Sequence, residues 1–213
     1  MIKLLYGTTN KAKISSMVNS LKSINVTLLN NDSFDLSVVK VVENGDTPID
    51  NAKIKALAFY KKFKIPVFSC DSGLYFKNVD DKYQPNVKVR RVNDKHLNDE
   101  EMIEYYASLA KMHGGELISY YKNSICLAMG EDEMYCYDGH KIHSEEFVIS
   151  SIPHKSRTNG LPLDSLSIHI ESGKYYMDIK KDSSHAYALK KDLSNGFCDF
   201  FIENIKGVHR LNV

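Results

Sequence analysis

The sequence has no excess of charge of either sign: 28 lysines and arginines stand against 27 aspartates and glutamates, a formal net charge of +1. That balance leaves no global field with which to hold a nucleic-acid polymer or an anionic membrane, while a small anion held by a few local cations stays open. Long hydrophobic runs are missing too. Met1 to Tyr6 is apolar but far too short for a signal peptide, and no later stretch approaches a membrane-spanning length. Closely spaced cysteine pairs are also lacking: Cys70, Cys126, Cys136 and Cys198 are scattered, two of them inside apolar runs of buried-strand type. Free thiols in a reducing cytoplasm are the simplest account, so a cytoplasmic protein is expected. There is no internal repeat and no low-complexity linker. The 213 residues, 43% hydrophobic, suffice for one substantial core, and we expect one two-lobed domain over 1–213 with no separate linker.

Periodicity gives the order of elements. Ile2 to Tyr6 reads as a buried strand, and Gly7-Thr8-Thr9-Asn10 as a polar turn into a helix from about Lys11 to Leu21. Such a turn suits an anion, because free backbone N–H groups of the helix start face it. Asn25 to Leu29 and Leu36 to Val42 read as the next strands. Pro48 opens a helix whose Ala52, Ala56, Phe59 and Phe63 recur at helical spacing, and Pro66 to Cys70 is a short strand ending in Asp71. Asn78 to Asn93 looks like a surface excursion. Asn98 and Glu101 form a plausible capping pair for a helix to about Met112. Glu116 to Met129, Met134 to Tyr137 and Phe147 to Ile152 follow without helices between them, which suggests an antiparallel extension. His154 to Pro162 is a loop, Asp164 to Ile170 returns to strand, and Ser183 to Ile205 is helical with a break near Gly196. The expected fold class is α/β, a long mixed twisted sheet flanked by helices, with a β-rich second lobe and the active site in the cleft between the lobes.

The chemistry-bearing residues fall at the ends of these strands, where open α/β sheets hold their ligands. Glu43 follows the third strand, Asp71 ends the fourth, and Asn10 with Lys13 stands at the first helix start. Two carboxylates suit a hard divalent cation such as Mg²⁺, which keeps several waters and binds phosphate oxygens. Lys13 and Lys55 would supply point charges to phosphates, and Gly73 permits a close backbone approach beside Asp71. Each residue alone has a plainer reading. Asp71 before Ser72-Gly73 is a turn acid, Lys55 a solvated lysine, and His140, His143 and Cys136 lack the second pair that a tetrahedral metal site needs.

The order is what raises these residues above the plain readings. Thr8-Thr9-Asn10-x-x-Lys13, Glu43, Asn51-Ala52-x-x-Lys55-Ala56 and Asp71-Ser72-Gly73-Leu74 together resemble the inosine triphosphate pyrophosphatase (XTP/dITP diphosphatase) family. Gly160 to Asp164 resembles its Gly-Phe-Gly-Tyr-Asp-Pro motif. Gly173-Lys174 with Met177-Asp178, and then Lys180 with Ser184-His185 and Ala188-Leu189, resemble its later segments. The resemblance implies a Mg²⁺-dependent enzyme that cleaves a nucleoside triphosphate between the α and β phosphates, favours ITP, dITP or XTP, cleans the nucleotide pool, and forms a homodimer. It also implies roles: Glu43 and Asp71 hold Mg²⁺, with Asp71 helping to activate water. Thr8, Thr9, Asn10, Lys13, Lys55, Ser72 and Gly73 lie on the phosphate side with Arg90, Arg91 and Lys180, while Asp164 and His185 approach the base.

The departures leave the phosphate side largely kept and the base side eroded. Leu161 and Leu163 replace the Phe and Tyr of the glycine-rich motif, Ala186 replaces the Arg after the histidine, and Cys70 stands where a second acid precedes Asp71. Triphosphate hydrolysis with an altered base preference is therefore one expectation. A nucleotide-binding sensor without hydrolysis, to which Cys70 and Ala186 point, is the alternative.

Overall fold

The computed structural model describes residues 1–93, 95–179 and 183–211, with the backbone alone over 183–192. The chain opens with β1 (Ile2–Tyr6), whose Leu4, Leu5 and Tyr6 are buried on both faces, as a central parallel strand requires. It continues through α1 (Lys11–Ser20), β2 (Val26–Leu29), α2 (Pro48–Phe63) and β3 (Val67–Phe76). β1 lies parallel to β2, from Ile2↔Val26 to Leu5↔Leu29, and parallel to β3 at Tyr6↔Phe68. α2 begins where its sequence says it should: Thr47 accepts the Asp50 N–H, Pro48 occupies the first turn, and Lys64 closes the helix in left-handed conformation.

A short ribbon, β4 (Arg91–Val92) with β5 (Lys95–His96), precedes α3 (Asp99–Met112), whose N-terminus carries the full capping box of Asn98 and Glu101. β6 (Glu116–Ala128) pairs antiparallel with β7 (Met134–Tyr137) and with β8 (Phe147–Ser150), β8 with β9 (Ser167–His169) and β9 with β10 (Lys174–Tyr175), the extension expected. α4 (Tyr176–Ile179) and α5 (Ser183–Asn204) follow. The whole is the expected α/β class, a long mixed sheet flanked by helices.

Two compact units interleave along the chain. The first comprises Met1–Ser72, Lys122–His143 and Lys190–Val213, and the second Gly73–Tyr121 and Ser144–Leu189, so β3 and β6 each begin in one unit and end in the other. The first has a core around Leu4, Tyr6, Phe68, Ile125 and Phe201, and a small-residue seam of Ala52, Ala56, Cys126 and Ala128 lets α2 approach β6 closely. The second packs Leu74, Ile103, Tyr106, Leu109, Ile149 and Leu163 into its own core.

Five expectations are corrected. Leu36 to Val42 is not a strand but a 3₁₀ turn over Leu36–Val38 followed by coil, because Asn31 accepts the Leu36 N–H and Asp35 the Ser37 N–H, which diverts the backbone from a sheet ladder. β3 does not end at Asp71 but continues to Phe76, with Asp71 near its middle. Asp164 lies in a 3₁₀ turn, Pro162–Ser165, rather than in a strand. α5 runs through Gly196 without a break. A Cβ there would sit 2.2 Å from the Lys141 carbonyl oxygen, so the glycine serves a close backbone approach. Finally, Cys126 and Cys136 form a disulfide rather than standing as free thiols, since the β6–β7 register sets the two directly opposite each other at 4.1 Å between Cα atoms.

Candidate active site

The first unit gathers the acids and lysines from four segments. β3 presents Asp71, which is buried, α2 presents Lys55, the coil before α2 carries Glu43, and α1 carries Lys13. Lys55 Nζ donates to Asp71 Oδ1 at 2.7 Å and to Glu43 Oε2 at 2.8 Å, so two carboxylates converge on one cation. Burial works against the Lys55 ammonium, but Asp71 and Glu43 outweigh it and hold its pKa above the ordinary lysine value. Lys13, from the first turn of α1, interacts electrostatically with the same group. Burial, and then the charge of Lys55, holds its pKa below the lysine range. Among Glu43, Asp71, Lys13 and Lys55 the formal charges cancel, which lets Asp71 and Lys55 sit at 12% and 11% exposure while Glu43 stays 39% exposed.

The coil that carries Glu43 is fastened by a residue that the sequence reading left out of the site. Asn51, buried on α2, accepts the Gly45 N–H at 2.9 Å and donates to the Gly45 carbonyl at 3.5 Å. A Cβ on Gly45 would come within 2.5 Å of the Asp50 Cβ, so that clasp is close-fitting. Its sequence signal is its place in the Asn51-Ala52-x-x-Lys55-Ala56 run, which assigns it no role of its own. Tyr6 is a second such residue. Its hydroxyl shares a hydrogen bond with Cys70, its ring stacks on Phe68 at 4.6 Å, and burial followed by Cys70 raises its pKa well above the usual value. Burial likewise pushes the Cys70 thiol up to about 12 despite nearby Lys13.

Other expected residues have defined occupations. Asn10 caps α1, its side-chain oxygen accepting from the Ala12 and Lys13 N–H groups, so those two amides are not free for an anion as the turn had suggested. Thr8 accepts from the Asn10 N–H and thereby shapes the turn, while Thr9 is exposed. Ser72 donates to Asn123 at 2.7 Å, and Asn123 in turn donates to the Ile142 carbonyl. Gly73 does permit a close approach: a Cβ would lie 2.8 Å from the Tyr75 ring and 3.0 Å from the Asn86 carbonyl.

In the second unit, Arg90 is clamped to Asp99 at 2.7 Å and to the Leu97 carbonyl, and Asp99 also accepts the Gly160 N–H. Arg91 is exposed on β4. Asp164 lies close enough to Tyr121 and Tyr176 for its charge to add to the burial that raises both hydroxyl pKa values. Leu163 is 4% exposed and belongs to the core. Lys180 is outside the described residues, and the side chain of His185 is not described. Among the described residues no group of three or more His, Cys, Asp and Glu gathers for a metal, and Cys136 is spent on its disulfide, so His140 and His143 complete no such set. No described helix is long and apolar enough to cross a membrane.

The sequence profile of the Ham1 family matches residues 4–162, a stretch that includes Lys13, Glu43, Lys55 and Asp71. The chain belongs to the Ham1 family. The dITP/XTP pyrophosphatase of Aquifex aeolicus (strain VF5) is 36% identical over 73 residues, 34% of each chain. That of Hydrogenobaculum sp. (strain Y04AAS1) is 37% identical over 89 residues, 38% of this chain and 39% of its own. The matches thus span about a third of the length of these curated relatives. The fold is that of a HAM1 protein from Coxiella burnetii, with a TM-score of 0.71 at 20% identity over 95% of this chain and 98% of the other. The resemblance to the inosine triphosphate pyrophosphatase family is borne out by this Ham1 membership and these relatives.

Proposed function

We propose that this Ham1 protein is a nucleoside triphosphate pyrophosphatase that hydrolyses (d)NTP to (d)NMP and pyrophosphate and acts in nucleotide-pool sanitation. The observation that carries the reading is the convergence of Glu43 and Asp71 on a single cation, with Lys13 alongside. Two carboxylates with the substrate's phosphate oxygens and water are a sufficient set for Mg²⁺, so the donors fit that ion without a third acid. Mg²⁺, when bound, supplies charge neutralisation at the phosphates and a more acidic water. Glu43 and Asp71 would hold it. Asp71, fixed by β3 and largely buried, orients and deprotonates the attacking water. Lys13 and Lys55 take up the phosphate charge, with the Thr8–Asn10 turn, Ser72 and Gly73 on the same side. Cleavage of the α–β phosphoanhydride bond needs little more from a protein than such positioning and charge.

Arg90, Arg91, Lys180, Asp164 and His185 keep their family-implied roles within this proposal. Magnesium, a cytoplasmic location and a homodimer belong to it as well. A cytoplasmic setting would tend to keep Cys126 and Cys136 reduced. For the homodimer, the apolar cross-strand row Ile118↔Val148↔Ile168 on the antiparallel strands, with Ile118 42% exposed, offers surface for a second copy.

A changed base preference is favoured by one specific observation, the core placement of Leu163 where the family has an aromatic residue. The deciding experiment is a panel of ITP, XTP, dITP, dUTP and the ordinary nucleotides with product analysis. Equimolar monophosphate and pyrophosphate is the expected outcome. Release of inorganic phosphate with a diphosphate, or nucleotide binding without turnover, overturns the reaction. A strong preference for ITP and XTP overturns the altered base preference alone.

A further inference from the structure

The cation that draws Glu43 and Asp71 together is one of the protein's own side chains. Lys55 is 11% exposed and Asp71 12%, and at 2.7 and 2.8 Å the lysine makes a charge-assisted hydrogen bond to each acid. Asp71 is sheltered enough to need a positive charge whether or not a ligand is present, and Lys55 provides it while also holding Glu43, which is 39% exposed. The two oxygens that it occupies belong to the acids proposed to hold the divalent cation. An ammonium and a divalent ion repel strongly at such a separation, most of all away from bulk water. Lys13 adds a second positive charge to the same neighbourhood. Lysine is suited to leave: a compact charge on a flexible four-carbon stem can release the acids and carry its donors to a nearby anion.

We propose that Lys55 is a built-in competitor for the metal position, which closes the acid pair in the free protein and yields it when phosphate draws the ammonium away. Metal uptake then depends on nucleotide, and the free protein holds divalent cations weakly. This inference rests on the reading of Glu43 and Asp71 as the metal pair.

The test is Mn²⁺ binding to the full chain without nucleotide, followed by electron paramagnetic resonance, so turnover plays no part. Lys55→Met is expected to bind Mn²⁺ at least about tenfold more tightly than the wild-type chain, the scale of one lost charge-assisted contact. Lys55→Arg, which keeps the charge, is expected to stay near wild type. Equal or weaker binding by a folded Lys55→Met overturns the inference and leaves the pyrophosphatase reading intact. Absence of Mn²⁺ binding by both chains overturns the metal pair as well. Should Lys55→Met fail to fold, acylation of lysines in the wild-type chain, quantified by mass spectrometry, decides. Labelling of Lys55 several-fold faster at saturating Mn²⁺ supports displacement, and unchanged labelling overturns it.

Discussion

Two ion pairs in this protein have the same 2.7 Å separation and different surroundings. Lys55–Asp71, in the first unit, has side chains 11% and 12% exposed and shares its lysine with a second acid. Arg90–Asp99, in the second unit, is 31% and 33% exposed, and its acid also accepts a backbone N–H from Gly160. The first arrangement keeps a lysine and an acid under shelter beside a second acid, and on the proposal above its charge is redistributed when an anion or a cation arrives. The second uses charge to tie a loop to the start of α3. Distance alone does not separate these roles, whereas burial and the identity of the third partner do. The same contrast extends to the positions singled out in the sequence: the first unit brings Glu43, Asp71, Lys13 and Lys55 together with Cys70 beside them, while the second places Leu163 in its core.

The sharpest way to break this contrast is to exchange the expected phenotypes. Asp71→Asn should lower turnover by at least about 100-fold, the scale of removing a central electrostatic or metal-holding group, with little change in thermal midpoint. Steady-state pyrophosphate release and a melting curve on the same preparation check it, and an active Asp71→Asn variant removes the proposed mechanism. Leu163→Ala should do the converse and cost about 2–5 kcal/mol of stability, as core truncations do, with catalysis by the folded fraction largely kept. If Leu163→Ala raised KM severalfold without loss of stability, the residue would face the nucleotide and the contrast would fail.

The disulfide sharpens the picture of the first unit. Chemical denaturation without reductant should reveal two titratable thiols, Cys70 and Cys198, and four after reduction. With a sequence separation of 10, reduction should cost about 2–3 kcal/mol. In the native chain at pH 8, Cys70 should react slowly with iodoacetamide, because burial holds its thiol protonated up to about pH 12. Four thiols without reductant would remove the Cys126–Cys136 link.

What was legible in the sequence was what local signals decide. Thr47-Pro48 and the Asn98/Glu101 box announce the starts of α2 and α3 because capping is a matter of three or four neighbouring residues. Glu43, Lys55 and Asp71 could be grouped because strand ends and family order point to the same place. Contacts distant in sequence were not legible. Asp71-Ser72-Gly73 has the composition of a turn, yet sheet pairing and the Leu74↔Asn86 bridge carry β3 through it. Gly196 looks like a helix breaker until the Lys141 carbonyl is seen against it. The pairing of Cys126 with Cys136 depends on hairpin register, and the clasp of Asn51 on Gly45 depends on where α2 packs. Tyr6 joins the site only because β1 and β3 align Tyr6 with Phe68, two residues before Cys70.

The smallest expected effect tests the claim that Asp99 acts as a clamp at the start of α3. Burial opposes ionisation of Asp99, but the Arg90 guanidinium and the Gly160 N–H outweigh it and hold its pKa below the ordinary aspartate value of 3.8. An acid with a depressed folded pKa is protonated more readily in the unfolded chain, so stability rises with pH across that interval. The contribution is full above pH 3.8 and disappears as pH falls through the lower folded value. Because both partners are about a third exposed, its size should be under about 1 kcal/mol. Asp99→Asn should therefore lower the thermal midpoint slightly at pH 7 and flatten the fall in midpoint between pH 5 and pH 3, while pyrophosphate release at neutral pH changes little. Parallel midpoint curves for the two chains would show that Asp99 is not the clamp, and a large loss of turnover would place it with the chemistry of Asp71 instead.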